Sequence, residues 1–185
     1  MIYRKNYTFW IFVICSLMFL FQLLFPSIDE LFSFVPAFAF TQPWRFVTSI
    51  FLHAGISHLV FNMFALIMFG NYLELRVGSR KFLEIFLIAG IVGNLAYFLT
   101  NPFGKIPAVG ASGGIYGIIG ALAMIQPSLI VYVGYVPMPL IFAALIWALI
   151  SFIGMFIPSN IAHQAHLAGL IVGALYGYRI RKKEI

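Results

Sequence analysis

Charge is what this sequence has least of. Only 9% of its 185 residues are Asp, Glu, Lys or Arg, while 63% are hydrophobic. A soluble domain carries roughly a quarter charged residues, so that class is excluded. Cys15 is the single cysteine and lies inside the first apolar run. An intrachain disulfide framework and a cysteine-based metal site are therefore both ruled out. The net charge of +6 does not mark a nucleic-acid partner, because Lys and Arg cluster at the ends of apolar segments. The N-terminal run TFWIFVICSLMFLFQLLF lacks a following A-x-A-like cleavage site and is longer than a signal-peptide core. It reads as a retained first span. No repeat relates residues 1–90 to 91–185, which argues against a transporter built from two matching halves.

What the sequence does have is six apolar runs. They predict spans at about 9–25, 57–74, 82–99, 112–126, 138–157 and 162–179. The expected fold is an all-α membrane protein, one compact bundle of six transmembrane helices forming a single domain over 1–185. Arg4, Lys5, Arg76, Arg80, Lys81, Arg179, Arg181, Lys182 and Lys183 fall on one side of such a bundle, and only Arg45 and Lys105 on the other. The positive-inside rule then puts both termini in the cytoplasm. The first external loop, 26–47, mixes acids, aromatics and prolines and suits a segment lying in the interface. Trp44 and Arg45 read as interface anchors with no chemistry.

The fourth run is short. At 1.5 Å per residue it covers about 21 Å, less than the ~30 Å hydrocarbon core. Its first residue, Ser112 in the pentad GASGG, should therefore sit below the outer surface. Irregular backbone at that depth is tolerated only where it is buried or lines a wet cavity. A water-accessible depression with Ser112 at its floor is expected.

Polar groups inside spans are costly and so are functional candidates. His58 and Asn62 are four residues apart on one helical face near the outer end of span two. His166 lies one to two turns into span six, again from the outside. Topology thus brings Ser112, His166, His58 and Asn62 to similar depth. Gly113 and Gly117 on span four, and Gly169, Gly173 and Gly177 on span six, form small-residue faces that allow close approach. A serine hydroxyl beside an imidazole is the pattern of an activated nucleophile. The five acids, Asp29, Glu30, Glu74, Glu84 and Glu184, lie in loops or near span ends, which leaves a Ser–His dyad without a third member. Helix N-terminal N–H groups at Ser112, with His58 and Asn62, can hold a developing oxyanion.

Other readings of the same residues exist. GASGG also fits G-x-S-x-G, but that nucleophile elbow needs a strand and an α/β sheet, which this chain does not offer. Ser112 can serve helix packing alone. His163 and His166, with His58 or His53, can be imagined around zinc, but no carboxylate is near and no H-E-x-x-H occurs. His163 by itself reads as a loop or interface residue.

The motifs Trp44-Arg45, HAGISHLVFN at 53–62, GNYLELRVG at 70–78, GASGGIYG at 110–117 and AHLAG at 165–169, in this order and on these spans, resemble the rhomboid family of intramembrane serine proteases. The resemblance runs over nearly the whole chain and matches the minimal six-span form. It implies Ser112 as nucleophile, His166 as general base, and an oxyanion site of His58, Asn62 and the Ser112 N–H. It further implies that Tyr116 packs on the His166 ring, that His53, Gly110, Gly113 and Gly169 support the site, and that Gly70, Glu74 and Gly78 form a structural motif. The implied substrates are transmembrane segments of other proteins, cut near the outer face, reached laterally between spans two and five. No cofactor or metal is expected. Membrane lipids are the other expected partner, and a prokaryotic plasma membrane the expected location, with the site open to the extracytoplasmic side. The alternative within the same fold is a non-catalytic protein that binds membrane clients.

Overall fold

A computed structural model describes residues 6–184. Arg4 and Lys5, used above for orientation, lie outside the described residues. Helix α1 (Tyr7–Leu24) starts at Asn6, whose side chain accepts the Phe9 N–H at 2.9 Å. It buries Thr8, Ile11, Cys15, Phe19 and Gln22, a stripe repeating every three to four residues, and leaves its other faces apolar and exposed. That is the pattern of a helix with protein on one side and lipid on the others.

The segment expected to lie in the interface is folded. It holds two short helices, α2 (Ser27–Phe32) and α3 (Arg45–Thr48), and two 3₁₀ turns at Pro36–Phe38 and Ser49–Phe51. Arg45 is not an interface anchor. It is 4% exposed, and its guanidinium donates to the carbonyls of Ser33, at 2.8 Å, and Glu30. Two charge-assisted bonds from one buried guanidinium tie the loop together. Trp44 stays half-exposed and donates to the Leu31 carbonyl at 3.1 Å.

Helix α4 (Ile56–Ala65) runs through one π turn (Leu66–Gly70) into α5 (Asn71–Val77). Gly78, at φ +83°, reverses the chain directly into α6 (Ser79–Thr100). Glu74 is buried here. Its carboxylate accepts the Tyr7 and Thr8 N–H groups at 2.8 and 2.9 Å and the Thr8 hydroxyl at 2.7 Å. The first turn of α1 has no intrahelical partner for these N–H groups and carries the positive end of the helix dipole. The motif Gly70-x3-Glu74-x3-Gly78 therefore clamps the start of one long helix to the end of another.

Helix α7 (Ser112–Ile125) is the axis of the molecule: nearly every residue from Gly113 to Ala123 is buried. Helix α9 (His163–Glu184) lies along it at backbone distance. A Cβ added at Gly169, Gly173 or Gly177 would collide with the carbonyl of Gly113, Gly117 or Ala121 respectively. On the other side, a Cβ at Gly114 would meet the Phe86 ring and carbonyl of α6.

One element departs from the expected all-α fold. Residues Ile130–Val133 (β1) and Val136–Pro139 (β2) form an antiparallel hairpin between α7 and α8 (Leu140–Gly154). The run Ile-Val-Tyr-Val, β-branched and aromatic, favours extended backbone, and Gly134, at φ +62°, supplies the first position of a two-residue turn. Residues 127–137 fall between the expected spans four and five, and α8 begins at Leu140, close to the expected 138.

Helices occupy each of the six stretches read as apolar runs. Three stretches, Tyr7–Leu24, Ile56–Val77 and Ser79–Thr100, are long and apolar enough to cross a membrane. Helices α7 and α8 are shorter, at 14 and 15 residues. Helix α9 extends past 179 because its last turns carry Arg179, Arg181, Lys182 and Lys183, good helix formers placed at the negative end of the dipole.

Replacing Gly173 by Val pushes a branched side chain into the Gly117 carbonyl. Overpacking of this kind costs about 1–3 kcal/mol or more. Thermal unfolding in detergent should show a clear drop in Tm, whereas Gly55→Ala, in open space and at an extended φ of 169°, should not match it.

Candidate active site

The turn before α7 sets the site. Gly110, at φ +126°, donates its N–H to the Ser49 carbonyl at 2.9 Å, and α7 begins two residues later at Ser112. Asn94 of α6 holds the other side of this support, donating to the Ser49 hydroxyl and the Phe46 carbonyl, both at 2.9 Å. Ser112 is thereby fixed at a helix N-terminus, where unpaired N–H groups and the positive dipole end gather.

His166 lies in the first turn of α9, directly opposite. Its Nε2 is 2.8 Å from Ser112 Oγ. With Nε2 unprotonated, the serine O–H donates to it. Tyr116, one turn below Ser112, stacks flat on the imidazole with ring centroids 4.4 Å apart and planes 8° from parallel. The buried Ser151 of α8 approaches the Tyr116 hydroxyl. His163 meets the His166 ring edge-on at 6.1 Å and rests on Gly154, where a Cβ would strike its ring. His163 is thus an α8–α9 packing residue.

His58 stands on the cavity side of Gly110. A Cβ at Gly110 would come within 2.9 Å of His58 Nε2 and 3.8 Å of Ser112 Oγ, so this corner must be glycine. The Ala54 N–H points at His58 Nδ1, at 3.3 Å. Nδ1 is then the acceptor, which leaves the proton on Nε2, facing the site. Asn62 is buried one turn below. Its amide nitrogen donates one N–H to the His58 carbonyl at 2.8 Å and keeps a second N–H.

His53 does not reach the serine. It is 1% exposed and packs edge-on against His58, ring centroids 5.3 Å apart. Burial, with His58 beside it, pushes its pKa down to about 4, so the ring is neutral at physiological pH. Gly113 and Gly169 are the contact point of α7 and α9 nearest the dyad.

Two supports were missed in the sequence. Gln22 of α1 accepts the His53 N–H at 3.0 Å and donates to the His53 carbonyl at 3.1 Å, and it also donates to Asp29. A side-chain amide here does what a neighbouring strand would do, and it fixes the backbone that leads into His58. A buried glutamine in an apolar span was the available signal. Asn94 gave the same signal in span three.

Ser112, His166, His58 and Asn62 all line one cavity of about 750 Å³, walled by Phe61 of α4 and by residues 154–162, from the last residue of α8 onward. Among the described residues, no three His, Cys, Asp or Glu side chains gather around a metal-sized space.

Residues 41–183 match the family profile described as the Rhomboid domain. YdcA of Bacillus subtilis (strain 168), provisionally named a rhomboid protease, is 36% identical over 142 residues, 76% of this chain and 69% of YdcA. Rhomboid protease GluP of the same organism is 42% identical over 131 residues, 70% of this chain and 24% of GluP. This chain therefore spans most of YdcA but only about a quarter of GluP. A protein of Arabidopsis thaliana named inactive RHOMBOID-like protein 8 is 36% identical over 81 residues, 43% of this chain and 22% of that protein. A profile match over most of its length, together with these relatives, makes this chain a member of the rhomboid family of intramembrane proteases.

Proposed function

We propose that the chain is an intramembrane serine endopeptidase that cleaves transmembrane segments of other membrane proteins near the outer face. The observation that carries this reading is the 2.8 Å contact of His166 Nε2 with Ser112 Oγ on a cavity floor. Relatives named as proteases support it.

In this reading Ser112 Oγ attacks the scissile carbonyl carbon while its proton passes to His166 Nε2. The oxyanion takes hydrogen bonds from the Ser112 N–H, the His58 Nε2–H and the second Asn62 N–H. Collapse breaks the C–N bond, and the leaving amine takes the proton from His166. Water then attacks the acyl ester, gives its proton to His166, and Ser112 recovers its hydrogen as the acid product leaves. The stack of Tyr116 on His166 limits imidazole rotation, the role a third, carboxylate member fills in a triad. Neither a metal nor a cofactor has a part in these steps.

All six apolar helical stretches, the shorter α7 and α8 included, are taken to cross the membrane, with both termini cytoplasmic and the cavity open to the extracytoplasmic side of a prokaryotic plasma membrane. Substrate is taken to enter between α4 and α8. Helix α8 buries few side chains beyond Leu140, Ala143, Ala144, Ser151 and Gly154, and Phe61 of α4 lies on the cavity wall beside residues 154–162. Cross-linking α4 to α8 should then block cleavage.

Purified protein should cut a generic transmembrane substrate in detergent. Ser112→Ala and His166→Ala should each lose at least about 10³-fold in rate, the scale of losing an activated nucleophile or its base. EDTA should change nothing. Retained cleavage in either variant would remove the dyad from the mechanism, and a wild type inactive on several substrates would favour client binding without catalysis.

His166 must be neutral to accept the serine proton. The rate should fall as pH drops through the imidazole pKa and stay level above it, in a kcat profile recorded from pH 4 to 9. A rate flat down to pH 4 would contradict a histidine base.

A further inference from the structure

Between Lys105 and Arg179 the sequence contains no Asp, Glu, Lys or Arg. The α7–α8 connection, a polar loop in most helical bundles, therefore has no charge to hold it in water. It is also exposed. Tyr135 is fully exposed, Tyr132 70%, Val136 58% and Ile130 56%, while Val131 turns inward to the core.

The hairpin stands at the basic end of the molecule. Tyr72 of α5, four residues before Arg76, donates to Gln126 Oε1 at 2.6 Å, just beyond the end of α7. Arg181 of α9 donates to the Met124 carbonyl at 3.4 Å. Arg76, Arg179 and Arg181 thus belong to the same end as a hairpin that has no charge of its own. Basic residues beside exposed aromatic and aliphatic ones suit the headgroup layer, where tyrosine rings sit at the water boundary and cations meet phosphate.

The strand backbone fits the same surroundings. The hairpin closes on Val133 and Val136, and in antiparallel pairing hydrogen-bonded pairs alternate with non-bonded ones. The Leu140 N–H to Leu129 carbonyl bond, 2.7 Å, fixes the phase: the pairs 129–140, 131–138 and 133–136 are bonded. Residues 137 and 139 would then aim their backbone N–H groups away from the partner strand. Both are proline and have none. The free edge of β2 exposes no donor that a low-dielectric medium would leave unpaired.

We propose that the Ile130–Pro139 hairpin is inserted into the lipid interface on the basic side of the membrane, with Tyr132 and Tyr135 at headgroup depth. The partner is the bilayer itself. The insertion anchors the start of α8, whose outward residues Phe142, Leu145 and Leu149 continue the same apolar surface.

The test places a nitroxide at Tyr135→Cys and, separately, at Tyr132→Cys. The chain is reconstituted in vesicles of phosphatidylethanolamine and phosphatidylglycerol. Cys15 is fully buried and stays in place, with the labelled parent chain as control. Leu149→Cys gives the lipid-facing reference and Lys182→Cys the water-facing one. Both hairpin positions should show an oxygen-to-nickel-chelate collision ratio several-fold above Lys182→Cys, approaching Leu149→Cys. Ratios equal to Lys182→Cys at both positions would put the hairpin in water, open to a soluble partner, and overturn the proposal. Two hairpin positions guard against one variant that misfolds, and neither touches the site.

Discussion

The separation of α7 and α9 is the constraint on which the rest depends. Three glycines of α9 face carbonyls of α7 so closely that no Cβ fits between them. In lipid there is no hydrophobic gain in bringing two apolar helices together, so contact of this kind comes from van der Waals packing that only small residues permit. Ser112 and His166 sit in the first turns of these two helices, at the end where Gly169 meets Gly113. A larger residue at that contact would part the helices and lengthen the 2.8 Å link directly.

The remaining supports act on the same corner from behind. Asn94 and Ser49 hold the Gly110 turn, Gln22 holds the backbone before His58, and Glu74 pins the start of α1 so that Gln22 is in place. Each is a buried polar group whose partner lies on a different element. Such bonds are expensive to leave unmade in an apolar interior, which makes them effective at fixing one arrangement. Rigidity on this side contrasts with α8, which presents most of its surface outward. On the proposed function, a site that stays ordered while a helical substrate reaches it needs that division.

The convergence of Ser112, His166, His58 and Asn62 on one cavity was legible because the order of the helices brings the starts of the second, fourth and sixth apolar runs to one end. The start of α7 at Ser112 was legible from the turn residues before it. The hairpin was not: Val131, Val133 and Val136 add to hydropathy as a helix would, and the prolines read as loop until the register assigns them to the free edge. Arg45 was misplaced because its partners are carbonyls of residues 30 and 33, and backbone acceptors leave no trace in a sequence. Gln22 and Asn94 were visible as polar residues in apolar spans, but what they hold lies on other elements.

Labelling with a fluorophosphonate probe tests the central claim, that His166 activates Ser112, without needing a natural substrate. The account predicts a covalent adduct on the peptide containing Ser112 in membranes, reduced by at least about 10³-fold in rate in His166→Ala, the scale set by loss of the base. An adduct on another residue, or one that forms as fast in His166→Ala, would contradict it.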